Sequence, residues 1–313
     1  MNNKSFSEIG RISAIDSLFE GIEKKKSYTP GTAHRLLLEG MDFDLSYFPL
    51  KHLGYKAVVS ITGELYADLR TARELSVILG VSSKLDYSQI EEFWSGVRVA
   101  AQEFGYESIH LDLVPSLNGL TISLSASGKR VCEHTPKAES KDLLCISGSL
   151  GSAFFGQQLL ERKSDELEKY RMMVADYLKP ELREHTPEQL KEAGLIPSAG
   201  CFVTRGLSDA VLRICRSTGL GAKVYADRIP FEGNSFALGK ELDIDPISAA
   251  MNGGDDLRLL FTIPILKAEQ FRKDFQTYDI IGHLALPEVG AALVTPDGIE
   301  LPLRAQGWPH EDL

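Results

Sequence analysis

Leu143-Leu144-Cys145-Ile146-Ser147-Gly148-Ser149-Leu150-Gly151, running on into Ala153–Arg162, is the stretch that decides how this chain is organised. Its first five residues are mostly apolar and predict a strand. The two glycines that follow predict a tight turn, and Ala153–Arg162 predicts a helix. Just before it lies the polar run EHTPKAESK, residues 133–141, which reads as a linker. Strands and helices resume after that linker, so two units are expected, 1–136 and 137–313. Each mixes strands and helices and is therefore α/β or α+β.

Working toward the N-terminus, Phe6, Ile9, Ile12, Ile15, Leu18, Phe19 and Ile22 recur at helical spacing. Pro30-Gly31 breaks the chain, and Arg35–Leu38 reads as a short strand closed by Gly40. Leu53–Leu69 reads as helix despite its β-branched residues, and Leu75–Val81 as strand. A second helix follows, with Ser88 as its expected cap and Ile90, Phe93, Val97, Ala100 and Phe104 on one face. Ser108–Val114 and Leu120–Ser127 complete this half as strands. Beyond the central stretch, helices are expected at Pro187–Ala193, Leu207–Ser217 and Phe236–Leu242. Strands are expected at Ala222–Tyr225, Leu257–Thr262, Ile280–Ala285 and Ala291–Thr295, with a hairpin turn at Thr295-Pro296-Asp297-Gly298.

The composition bounds the function. The chain has 313 residues, 43% hydrophobic and 25% charged, an ordinary globular balance. Lys+Arg 34 against Asp+Glu 44 gives a net charge of −10, which argues against nucleic acid or an anionic membrane as the main partner. No apolar run approaches the ~18–20 residues of a membrane span, and MNNKSFSEIG lacks the layout of a secretion signal. A cytoplasmic protein with reduced cysteines is expected. Cys132, Cys145, Cys201 and Cys215 form no C-x-x-C pair, and zinc is not supported.

Four segments could carry chemistry. Gly148-Ser149-Leu150-Gly151 sits between strand and helix, where backbone N–H groups can face an anion, though it lacks the Lys-Ser/Thr of a P-loop. Asn252-Gly253-Gly254-Asp255-Asp256 combines close backbone approach with paired carboxylates. Arg205 precedes a helix N-terminus, where a guanidinium and the helix dipole could together hold a phosphate. Gly307-Trp308-Pro309-His310 offers an aromatic face. Each also has a structural reading: a tight connection, a solvated turn, an exposed arginine and a core-sealing tryptophan.

These segments occur in an order that resembles the thiamine-monophosphate kinase family, of the aminoimidazole-ribonucleotide-synthetase-like superfamily. The resemblance runs along nearly the whole chain. It is carried by Leu38-Glu39-Gly40-Met41-Asp42-Phe43-Asp44-Leu45, Leu53-Gly54-Tyr55-Lys56-Ala57, Gly148–Gly151, Asn252–Asp256 running into Leu259–Thr262, and Gly307-Trp308 with His310. It implies a two-domain fold, with an N-terminal domain whose β-structure forms a homodimer and a C-terminal α/β domain. It also implies ATP and magnesium in the clefts and transfer of the γ-phosphoryl group to thiamine monophosphate, giving thiamine diphosphate. Such transfer depends on metal ions neutralising phosphate charge, and so on clustered carboxylates.

Laid on that pattern, the carboxylates are depleted. The early Gly-Asp-Asp motif has no counterpart before Leu36. Thr-Thr-Asp falls on Ala33, His34 and Arg35, and Ser-Asp falls on Gly63-Glu64. Gly-Gly-Asp falls on His110, Leu111 and Asp112. Asp-x-Ser-Asp-Gly-Leu falls on Phe202–Leu207, with Arg205 in place of its second acid, and Gly-Asp-Leu-Gly carries Ser149 for its acid.

The expected sites are therefore Asp112 and Glu64 for catalysis or any metal, and Arg35, Arg205, Gly148 and Gly151 for nucleotide or phosphate. Asn252, Gly253, Gly254, Asp255, Asp256 and Trp308 are expected at the substrate. Arg35, Arg205 and Arg258 are expected to pair with Glu64, Asp112 and Asp256, or to bind phosphate directly. Three functions follow. One is a degenerate homologue with weak or no ATP-dependent phosphorylation of thiamine monophosphate, a pseudoenzyme that binds a nucleotide or thiamine phosphate or partners an active paralogue. Another is an active kinase using ATP and magnesium through the remaining acids. The third is a structural protein with an empty cleft and no cofactor.

Overall fold

The computed structural model describes residues 11–18 and 31–305. In chain order the helices are α1 (Arg11–Leu18), α2 (Leu50–Ala67), α3 (Tyr87–Glu103), α4 (Ser152–Glu161), α5 (Arg171–Leu178), α6 (Thr186–Glu192), α7 (Leu207–Thr218), α8 (Ser235–Leu242), α9 (Pro246–Asn252) and α10 (Ala268–Asp274). The strands are β1 (Thr32–Leu38), β2 (Arg70–Ser82), β3 (Ser108–Ser116), β4 (Thr121–Arg130), β5 (Leu143–Ser147), β6 (Gly200–Val203), β7 (Gly221–Tyr225), β8 (Arg258–Ile263), β9 (Tyr278–Ala285), β10 (Ala291–Val294) and β11 (Glu300–Pro302). Of the expected helix over Phe6–Ile22, Arg11–Leu18 is helical; its other residues and the tail with Trp308 and His310 lie outside the described residues.

Two mixed sheets result. The first has the order β1-β4-β2-β3, and the second β11-β10-β7-β9-β5-β8-β6. No strand is common to both. Leu75, Val77, Leu79, Ile122 and Leu124 alternate along their strands toward the buried face of the first sheet. The opposite face is open. Paired residues share a face, so Leu36, Ser123, Ile78 and Asp112 form one row on the open side, while Arg35 shares its row with buried Leu124 and Val77.

α2 is the hub. It packs on β1, β2, β4 and α3, and also touches β6 and β8 of the second sheet. Buried on all sides, it keeps a helical conformation through Val58-Val59-Ser60-Ile61-Thr62, because packing outweighs the weak helix propensity of β-branched residues. α2 crosses α3 where glycines face each other. A methyl group at Gly54 would fall 2.0 Å from the Phe93 carbonyl oxygen, and one at Gly96 1.9 Å from that of Lys51.

The cap of α3 is Asp86 rather than Ser88. Asp86 accepts the N–H of Gln89, and the Ser88 hydroxyl donates to the same carboxylate. β6, α5, α9 and α10 were not expected. Each is short, and β6 is a four-residue strand at a sheet edge with little room to show a period.

Candidate functional site

β1 ends in a tight loop. Gly40, with φ of 84°, holds a left-handed conformation that favours glycine, and its N–H donates to the Phe43 carbonyl. That turn folds Asp42 back so that its Oδ2 accepts the N–H of Leu38 at 2.8 Å. In a second loop, Gly254 (φ 81°), Asp255 (φ 65°) and Leu257 (φ 50°) are left-handed, an unusual conformation for the two non-glycine residues. The loop is pinned to the end of β6, where Asp255 N–H donates to the Thr204 carbonyl and Leu257 N–H to that of Val203.

Between the two loops stands Lys56 of α2. Its buried ammonium donates to Asp255 Oδ2 at 2.7 Å, and lies 3.8 Å from the centre of the Tyr177 ring and 5.1 Å from that of Phe48. Burial pulls the Lys56 ammonium below its ordinary range, and the Asp255 carboxylate opposes that shift. Burial likewise raises the Asp42 carboxyl; the Leu38 N–H and the charges of Arg35 and Arg205 pull it down, while Asp255 pushes it up. Arg35, Asp42, Lys56, Arg205 and Asp255 therefore share one electrostatic neighbourhood. Arg205 is exposed. Among the described residues, two buried polar atoms here, Arg35 Nε and Thr204 Oγ1, have no hydrogen-bond partner.

Beside this cluster lies a second one. Gly148 (φ 85°) and Gly151 (φ 74°) make the left-handed turn ahead of α4. The anion that this helix start faces belongs to the protein: Gly151 N–H donates to Asp256 Oδ2 at 2.9 Å and Ala153 N–H to Asp256 Oδ1 at 3.4 Å. Burial lifts the Asp256 carboxyl to about 7 against the pull of these N–H groups and of Arg258. Arg258 donates to Asp176 Oδ1 at 2.8 Å and to the Ser149 and Glu181 carbonyls, and the Ser152 hydroxyl donates to Asp176 Oδ2 at 2.6 Å. Asp176 and Tyr177 are neighbours on α5, so this helix serves both clusters.

The expected arginine pairs take a different form. Glu64 is held by two guanidinium N–H groups of Arg213, at 3.2 and 3.1 Å, rather than by Arg35 or Arg205. Arg258 takes Asp176 as its carboxylate partner. Asp112 lies on the open face of the first sheet, opposite the face covered by α2, and its carboxylate accepts the N–H of Leu113. Within one chain, then, Asp112 and Glu64 are not brought together.

Asn252 belongs to the packing: with its amide oriented nitrogen-inward, as the surrounding acceptors require, it donates to the carbonyls of Met251 and Arg304 at 3.3 and 3.0 Å. Gly253 leaves room for the Phe154 side chain, whose Cβ would lie 2.7 Å from an added methyl. Lys56, Asp42, Tyr177, Phe48, Asp176 and Arg213 were not among the expected site residues. Lys56 had a signal, a single charge within the apolar run Leu53–Val59.

The donor set decides how well a magnesium ion fits. Magnesium prefers several oxygen ligands in octahedral geometry. Here Asp255, Glu64 and Asp176 each hold a cationic side chain, and Asp256 accepts backbone N–H groups with both oxygens. Among the described residues, no group of three or more His, Cys, Asp or Glu side chains is arranged to hold a metal. These residues do not fit a magnesium site.

No protein-family model matches the sequence. Curated relatives do. The chain is 23% identical over 270 residues to thiamine-monophosphate kinase of Aquifex aeolicus, covering 82% of this chain and 87% of that one. It is 27% identical over 235 residues to the Pyrococcus horikoshii enzyme of that name, covering 74% and 70%, and 21% identical over 287 residues to the Bacillus subtilis one, covering 88% and 86%. Among solved structures, thiamine monophosphate kinase from Aquifex aeolicus superposes with a TM-score of 0.80 at 22% identity, over 96% of this chain and all of that one. AaThiL complexed with AMPPCP and TMP gives 0.81 at 20% identity, over 99% of this chain and 100% of that one. Escherichia coli HypE, a hydrogenase maturation protein, gives 0.67 at 17%, covering 89% and 87%. The fold is thus the two-sheet α/β architecture of the aminoimidazole-ribonucleotide-synthetase-like proteins. By sequence and by fold, the chain is a relative of the thiamine-monophosphate kinases.

Proposed function

We propose that this chain binds a small phosphorylated ligand, a thiamine phosphate or a nucleotide, in the cleft around Lys56, and has weak or no ATP-dependent kinase activity toward thiamine monophosphate. The observation that carries this is the Lys56–Asp255 ion pair at 2.7 Å. It places a fixed ammonium on Asp255 of the Asn252–Asp256 loop, the kind of acid that metal-assisted phosphoryl transfer needs for its cation. The unpartnered Arg35 Nε and Thr204 Oγ1 supply donors for a phosphate, and Arg205 adds charge at the exposed edge. Tyr177 and Phe48, both buried, hold the Lys56 ammonium in place against their rings.

A second reading, an active kinase, is favoured by Asp42. Its carboxylate is held by a backbone N–H rather than by a cationic side chain and could take up a proton or a metal. Two further proposals accompany the first: a division into units at 136/137, and a homodimer formed through the open face of the first sheet.

The test has two parts. Thiamine monophosphate and the non-hydrolysable nucleotide AMPPCP are titrated into the protein by calorimetry. Formation of thiamine diphosphate from ATP and thiamine monophosphate is then followed with magnesium present. Saturable binding with no product is the expected result. Metal-dependent turnover would establish the active kinase instead, and absence of binding would refute the ligand site.

A further inference from the structure

We infer that the cleft holds the phosphate of its ligand with fixed side-chain cations, Arg35 and Lys56, and needs no divalent metal ion to do so. This rests on the cleft taking a phosphorylated ligand at all, and it goes further by naming what neutralises the phosphate.

The acids come first. Beyond Asp42, a single carboxylate held by the Leu38 N–H, a divalent cation would have to draw Asp255 away from Lys56, Glu64 away from both nitrogens of Arg213, or Asp176 away from Arg258. Asp256 would have to release the N–H groups at the start of α4. Each displacement leaves a cation or a helix terminus without its counter-charge in a partly buried site, a costly arrangement. Asp112, the acid with the best claim on a metal from its motif position, lies on the other face of the sheet.

The cations point the other way. Arg35 lies on the helix-facing side of β1 with a buried Nε that has no hydrogen-bond acceptor among the described residues. A guanidinium in that state offers a donor whose desolvation is already complete, and its planar fork suits phosphate oxygens. Among the described residues, Lys56 hydrogen-bonds Asp255 and otherwise faces two aromatic rings, which leaves N–H donors of its ammonium for phosphate oxygens.

Thiamine monophosphate is the probe, because a phosphate monoester does not depend on magnesium for its own solution form as a nucleotide triphosphate does. Its dissociation constant is measured by calorimetry in excess EDTA and again in excess magnesium chloride, for the natural protein and for Arg35→Ala and Arg35→Lys. Urea unfolding of each variant checks that it is folded. The expected result is binding of equal strength in both buffers, within about twofold or about 0.4 kcal/mol. Arg35→Ala should weaken binding by at least about tenfold, about 1.4 kcal/mol, in both buffers, and Arg35→Lys should recover part of that loss. Binding that appears only with magnesium overturns the inference while leaving the ligand site intact. Equal binding by Arg35→Ala and the natural protein overturns the assigned clamp. No binding in either buffer overturns the ligand site and the inference with it.

Discussion

Replacing Lys56 by methionine isolates the ion pair at the centre of the cleft. At 2.7 Å, two unit charges at an effective dielectric constant of ~20 attract by about 6 kcal/mol, before the cost of desolvating both groups. Methionine keeps the length and apolar stem of the lysine and removes its charge, so Asp255 loses its hydrogen-bonded counter-ion. Breaking one partner of a buried pair costs about 3–5 kcal/mol. The Asp255 side chain keeps 23% of its surface in water, which puts this case at the lower end, about 3 kcal/mol. Equilibrium urea unfolding measures the loss directly as a lower midpoint at unchanged slope. Adding Asp255→Asn to Lys56→Met should restore part of the stability, because the double variant no longer buries an unpaired charge. A Lys56→Met variant within about 0.5 kcal/mol of the natural protein, the range of an ordinary surface change, would refute the buried pair as a structural element.

Asp256→Asn should change how stability depends on pH. The folded-state carboxyl sits at about 7, above its ordinary 3.8, so the folded protein holds this proton more tightly than the unfolded chain does. That contribution is fully present below pH 3.8 and is lost as pH rises toward 7, by up to about 4 kcal/mol at 1.36 kcal/mol per unit. Natural protein should therefore lose stability relative to Asp256→Asn across this window, and a difference that stays flat with pH would contradict it. Gly54→Ala drives a methyl group to 2.0 Å from the Phe93 carbonyl oxygen and should destabilise the α2–α3 crossing by about 3 kcal/mol or more, read by thermal unfolding. Ile78→Asp with Leu36→Asp charges the open face of the first sheet, where these side chains are 42% and 53% exposed. Sedimentation should show a dimer for the natural chain and a monomer for the double variant; two identical profiles would rule out this face as the interface.

Much of the scaffold was legible because its signals are local. The Leu143–Gly151 strand and turn, with the helix after it, show in hydrophobic period and glycine placement, and they appear as β5 and α4 within one residue of their expected bounds. The Ser88 cap was missed because Asp86, two residues earlier, competes for the same N–H groups with a full charge. The site was less legible because its contacts span the chain. Lys56 and Asp255 lie 199 residues apart, and Arg213 and Glu64 149 apart, so no spacing rule connects them. Motif position located the arginines, but it could not show that Arg35 and Asp112 lie on opposite faces of one sheet. That follows from strand register, which the sequence does not display.

The most direct test is a crystal of the protein grown with thiamine monophosphate and manganese, with anomalous diffraction recorded to locate the metal. The expected result is a phosphate within hydrogen-bond distance of Arg35, the Lys56–Asp255 pair intact and no anomalous peak in the cleft. A manganese ion bound by Asp255 or Asp42, with Lys56 displaced, would contradict a phosphate held by fixed cations and return the protein to metal-dependent phosphoryl transfer.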